Sequence, residues 1–134
     1  MNLQPQTKVY AAGEDHTWLG SAHGTEATES IQLDGSAFTG TWTDGIIPSG
    51  VALGKITATG LYAPYTAAAT NGAGSDTLVG FLFTVADVLE GGTAAIDSPA
   101  ALLTHGKVVE ANLPANNGLD AAGKTDVGSH FRFV

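Results

Sequence analysis

The sequence predicts a small, mainly β domain with one short helix and an extended N-terminal arm. Three observations lead there. The most apolar stretch, TLVGFLFTVADV (77–88), is rich in Thr, Val and Phe, which suit a pleated sheet better than a helix. ESIQLDGSAF (29–38) and the start of IIPSGVALGKITATGLYAPY (46–65) alternate with the two-residue period of a strand. Glycine is plentiful at 18 residues, as many turns or close backbone contacts require. A length of 134 residues suits one domain and buries a core without a covalent staple.

Taken in order, residues 1–8 are polar and contain Pro5, which reads as an arm. Residues 9–30 are mixed, and only Trp18 and Leu19 offer an anchor. In 29–38, Ile31 and Leu33 alternate against Gln32 and Asp34, giving a half-buried strand. Asp44-Gly45 is a turn signal. In 46–65, Val51 and Leu53 point one way and Ala52 and Gly54 the other, with Ile56, Ala58 and Gly60 continuing the second face. This reads as two short strands, or as one strand bent near Gly54. Residues 66–76 form a loop around Asn71-Gly72.

The run 77–88 leaves little room for a wet face, as in a central strand buried on both sides. LEGGTAAIDSPA (89–100) reads as a second loop. AALLTHGKVVEANLP (100–114) reads as a strand bent at Gly106, because Val108-Val109 and Gly106 oppose a helix. NNGLDAAGKTDV (116–127) fits a short helix with Leu119, Ala122 and Val127 on one side, and SHFRFV is a final strand alternating Phe131 and Phe133.

Charge and composition exclude several classes of function. Net charge is −8, and five Lys and Arg scattered from Lys8 to Arg132 make no patch for nucleic acid or for an anionic membrane. There is no cysteine, so no disulfide and no thiol chemistry. The start MNLQPQTKVY lacks the pattern of a secretion signal, and no apolar run reaches the roughly 20 residues of a membrane helix. These features point to a product made and used in a cytoplasm, or in something assembled there.

Chemistry-bearing residues are sparse. His16 and His23, with Glu14, Asp15 and Glu26, have the ligand types for a metal but not the spacing of a zinc motif, so polar side chains on the surface of an irregular segment are the plainer reading. His105 and His130 stand alone and read as partly buried or interface side chains. Ser75 in GAGSDT lacks the Gly-x-Ser-x-Gly turn of a serine hydrolase, and NGAGSD lacks the Lys-Ser/Thr ending of a phosphate loop. Trp18 and Trp42 are candidates for stacking on sugars, although single tryptophans more often anchor a core or an interface. A binding or structural role is favoured over an enzyme, with no metal and no cofactor.

Five segments in order, DHTWLGSAHGTEATESIQLD, IPSGVALGKITATGLYAPY, LVGFLF, ALLTHGKVVEANLP and GLDAAGKTDVGSHFRFV, resemble the head decoration proteins of tailed phages, the family of the lambda capsid decoration protein D, and in particular its longer members from phages of actinobacteria. The resemblance covers nearly the whole chain. It implies a β-clip or small β-barrel-like fold, and homotrimers on the outer surface of the expanded capsid at local three-fold positions, cementing the major capsid protein against internal DNA pressure. It implies no cofactor, no catalysis, no nucleic acid and no membrane, and a place in the virion. It also implies an N-terminal arm, Asn2 to Tyr10 here, that is mobile before binding and orders on the capsid, so that the chain divides into an arm at 1–10 and a single β-rich domain at 11–134. The stretch EDHTWLGSAHGTEATES (14–30) is an addition relative to the short lambda-type members.

On this reading Leu3, Pro5, Thr7, Val9, Tyr10 and Trp18 contact the capsid, and Gly50, Leu53, Gly54 and Gly60 serve close packing in the core or at the trimer interface. The physics is consistent with it. An arm that adds a strand to a capsid edge gains backbone hydrogen bonds. Three arms per trimer add avidity that offsets an ordering cost of about 1–2 kcal/mol per residue. The alternatives are a carbohydrate-binding β-module using Trp18 and Trp42, and a small hydrolase built on Ser75 or the histidines.

Overall fold

A computed structural model describes residues 15–67, 77–90 and 94–134 of the chain. Its strands are β1 (Glu29–Leu33), β2 (Ile46–Ile47), β3 (Ala52–Lys55), β4 (Tyr62–Pro64), β5 (Leu78–Leu82), β6 (Ala86–Asp87), β7 (Leu89–Glu90), β8 (Ala94–Ala95), β9 (Ser98–Leu103), β10 (Gly106–Val108) and β11 (Phe131–Phe133). One helix, α1 (Ala121–Val127), precedes β11. The protein is mainly β, as the sequence predicts. No helix among the described residues is long and apolar enough to cross a membrane.

Five strands close into a barrel in the order β1-β4-β3-β5-β9. β3 pairs antiparallel with both β4 and β5, β9 pairs antiparallel with β5 and β1, and a single parallel pairing, Leu33 with Tyr62, closes β1 onto β4. Three small two-stranded sheets are added: β2 with β6, β7 with β8, and β10 parallel to β11.

Strand alternation sends neighbouring residues to opposite sides of the barrel wall. Leu53, Leu82 and Leu102 belong to one core with Leu33, Phe38, Ile47, Val51 and Val88. Their neighbours Ala52, Phe81 and Leu103 belong to another with Trp18, Tyr65, Val108, Val127 and Phe131. Trp18, α1, β10 and β11 are not barrel strands, so the second core lies between the outside of the wall and these covering elements. This is why 77–88 carries so little polar surface: β5 lies between both cores, with Phe81 in one and Leu82 in the other.

Several local readings hold and several change. Val51 and Leu53 do face away from Ala52, and the irregularity expected near Gly54 is a register shift between Leu53 and Gly54 opposite β5. Beyond Ile56 the second face does not continue. The Ile56 N–H donates to the Leu61 carbonyl and the Gly60 N–H to the Ile56 carbonyl, so 57–60 is the exposed tip of the β3–β4 hairpin. The strand at 29–38 stops at Leu33, where Asp34 accepts from the Ser36 hydroxyl and Gly35–Ala37 form a 3-10 turn. The stretch 89–100 is not a loop throughout. Leu89 pairs with Ala95 and Glu90 with Ala94, and β9 begins at Ser98; short alanine-rich strands carry too little hydrophobic contrast to show in the sequence. The bend at Gly106 separates β9 from β10.

The helix begins at Ala121 and not at 116, because Asn116 and Gly118 have φ of 61° and 83°, outside the right-handed helical region. Asp120 caps it: Oδ1 accepts from the Gly123 N–H at 2.7 Å and from the Tyr65 hydroxyl at 2.8 Å. The Gly123 N–H first, then the Tyr65 hydroxyl, hold the Asp120 carboxyl below its ordinary value of 3.8. A carboxyl with a lowered folded-state pKa stabilises fully above its ordinary pKa, and that contribution is lost as pH falls through the folded value. Asp120→Asn, which keeps a capping side chain, should therefore be less stable than wild type at neutral pH, and the gap should close in acid below the ordinary carboxylate range. Thermal unfolding of both proteins across that range checks it; a gap independent of pH would contradict it.

Candidate functional site

Residues 15–20, which cover the outside of the barrel wall, are fastened at successive positions. Asp15 accepts from the N–H and hydroxyl of Thr17 at 2.9 and 2.6 Å, and the hydroxyl bond is the larger cause holding its carboxyl below the ordinary value. The His16 ring stacks on Phe83 at 4.8 Å, with Nε2 2.9 Å from the Phe83 carbonyl oxygen. Trp18 is fully buried against Phe81, with ring centroids 5.8 Å apart. Its indole N–H donates to Ser49 Oγ at 3.1 Å, and the Ser49 hydroxyl donates to the Phe83 carbonyl at 2.7 Å, so a buried polar pair is satisfied. Main-chain bonds from Val109 N–H to the Trp18 carbonyl and from Gly20 N–H to the Lys107 carbonyl join this segment to β10 through a single antiparallel bridge, Leu19 with Val108.

This corrects the assignment of Trp18 as a capsid contact. At 0 % exposure it meets no partner surface and stacks on no sugar; its role is to hold the segment to the core. Trp42, the other candidate for sugar stacking, is half-buried and packs against Phe38 at 5.8 Å. Leu3, Pro5, Thr7, Val9 and Tyr10 lie outside the described residues, as do Glu14, Ser75 and Asp76.

Of the four packing residues, three sit in the core. Leu53 is fully buried and Gly54 lies at the register shift. Gly50 has φ 103°, and a Cβ there would sit 2.7 Å from Pro114 Cδ and 3.1 Å from the Trp18 indole nitrogen. Gly60 is the exception. It occupies an exposed turn at φ 76° with open space around it, so it serves the turn and no close contact.

A second feature lies at the junction of β1 and β4. Parallel pairing stops at Leu33 and Tyr62, because the chain before Tyr62 turns away into the hairpin tip. Ahead of that point a groove of about 480 Å³ opens, lined by Glu29, Ile31, Gln32, Lys55 and Tyr62 among others. Ala101, across from Ser30, gives its carbonyl to Phe83 on the other side of β9, so Ser30 turns its own N–H and C=O away from β9 and toward the groove. No described residue pairs with them, which leaves a short open strand edge. Burial first, and the Glu29 carboxylate second, push the Tyr62 hydroxyl pKa up. Nothing in the sequence signals this edge, since it results from how β1 and β4 diverge.

The histidines do not gather as one cluster. His16 is on Phe83, His130 Nδ1 is 2.9 Å from the Val127 carbonyl oxygen, and His23 meets His105 with ring centroids 5.1 Å apart. Among the described residues no group of three or more His, Cys, Asp or Glu is placed to hold a metal ion. No protein-family model matches this chain, and no curated protein matches it either.

Proposed function

We propose that this protein is a capsid decoration protein: it binds the exterior of an expanded phage head as a trimer at local three-fold positions and steadies the shell against the pressure of packaged DNA. The role is structural and not catalytic, and the partner is the major capsid protein. The ordered resemblance of five segments over nearly the whole chain motivates the reading. The observation that carries it is the fastening of residues 15–20. A cement transmits load, and the segment that follows the arm is tied to the core by a buried tryptophan, a satisfied indole–serine bond and a single bridge to β10. Tension delivered to residue 15 would therefore pull on the core. The open edge of β1 supports the same reading, because its main-chain groups can take an extended strand of a partner without any reactive side chain.

The test is deletion of residues 1–10. The shortened protein is expected to keep the circular dichroism spectrum and unfolding temperature of the full chain, because the fastening residues remain. It is expected to lose co-sedimentation with expanded capsids of its phage, the single arm contacts and their avidity going together. Normal decoration by the shortened protein would overturn the role of the arm. Failure of the full-length protein to sediment with any such shell would overturn the function itself.

A further inference from the structure

Two identical dipeptides, His23-Gly24 and His105-Gly106, come together at the corner between β9 and β10. Each glycine packs against the backbone of the other histidine. A Cβ on Gly24 would sit 2.2 Å from the His105 carbonyl oxygen, and one on Gly106 would sit 2.9 Å from the His23 carbonyl oxygen. Both glycines have positive φ, 86° and 150°, conformations that cost little only without a Cβ. With the two backbones this close, the two imidazoles meet at 5.1 Å between centroids with their planes 73° apart. His23 is exposed and His105 half-buried, so the pair is reachable from solvent. Thr104 Oγ1 lies 3.4 Å from His105 Nδ1, which leaves His105 Nε2 as the nitrogen open to a ligand.

Two imidazole nitrogens bound side by side to one ion, each at about 2.0–2.1 Å, place their ring centroids roughly 5 Å apart. The observed spacing meets that requirement, and the Thr104 hydroxyl beside Nδ1 gives the His105 ring a neighbour that can orient it with Nε2 toward an ion. We propose that His23 and His105 form a two-imidazole site for a borderline divalent cation of the Zn²⁺, Ni²⁺ and Cu²⁺ class, with water completing the coordination. The ligands come from distant parts of the chain, so the ion clips the segment around residues 15–27 to the β9–β10 corner. The site is independent of the decoration reading and stands or falls separately from it.

The experiment is calorimetric titration of the purified full-length protein with NiCl₂ and, separately, CuCl₂ near neutral pH, with MgCl₂ as the contrasting salt. One saturable site per chain is expected for Ni²⁺ and Cu²⁺ and none for Mg²⁺, and the unfolding temperature should rise with the first two only. His23→Asn should weaken binding at least about tenfold and leave the metal-free unfolding temperature unchanged, since the side chain is exposed. His105→Asn should weaken it equally, whereas His16→Asn and His130→Asn should leave it intact. Absence of saturable binding, or binding that survives His23→Asn, overturns the proposal even if His105→Asn fails to fold.

Discussion

Trp18→Ala is expected to cost about 3–5 kcal/mol of stability, the range for truncating a large buried aromatic. The indole is fully buried and fills the space between the barrel wall and the covering layer, touching Phe81 and lying within reach of Gly50. Alanine removes that volume and the hydrogen bond to Ser49, and the surroundings cannot collapse freely because Val109 and Gly20 pin the backbone on either side of the hole. Trp18→Phe separates the two contributions. It keeps most of the volume and removes the N–H, so it should cost roughly 1 kcal/mol plus a small cavity contribution. Urea unfolding of the three proteins gives both numbers. A loss below about 1 kcal/mol for Trp18→Ala would mean that the indole does not fasten residues 15–20 to the core. If the decoration reading holds, capsid attachment of the alanine variant should fall with temperature in step with its unfolding curve, since the arm is then joined to a loosened root.

Gly50→Ala is expected to cost on the order of 2–5 kcal/mol, combining a strained backbone with overpacking. Its φ of 103° lies where L residues are rarely found, and the new methyl would meet Pro114 and the Trp18 indole nitrogen at less than ordinary contact distances. Neither neighbour is the loose end of a flexible chain: one is a proline ring and the other a buried, hydrogen-bonded indole. The N–H of Gly50 also donates to the Leu82 carbonyl at 2.7 Å, so the backbone cannot rotate away without breaking that bond. Gly60→Ala is the control. It carries a similar left-handed penalty, about 1–2 kcal/mol, but opens onto empty space. Equal losses at the two positions would show that packing at Gly50 contributes nothing.

These two residues mark where sequence reasoning succeeded and where it did not. Gly50 and Gly60 stand in the same alternating stretch and look alike there. One lies under the covering layer and the other at a hairpin tip, and that difference depends on where β3 and β4 turn. Trp18 was legible as an anchor, but the sequence left open whether it grips the core or a partner. The partner of its indole, Ser49, is 31 residues away, and its packing neighbour Phe81 is further still. The two His-Gly dipeptides are visible to anyone reading the chain, yet nothing local says that residues 23 and 105 meet.

By itself the sequence determined the class of the fold, the apolar strand at the start of 77–88, the opposed faces of Val51 and Ala52, the bend at Gly106, the presence of a short helix within 116–127 and the last strand. Each of these is written in side-chain periodicity or turn chemistry over a few residues, and such preferences act locally. Only the tertiary structure decided that the wall closes through one parallel pairing of β1 with β4, that a strand edge stays open beside it, that Trp18 lies inside, and that two distant histidines face each other. Those outcomes come from burying two separate cores on the two sides of a single sheet, a condition imposed on the whole chain at once and therefore absent from any one stretch of it.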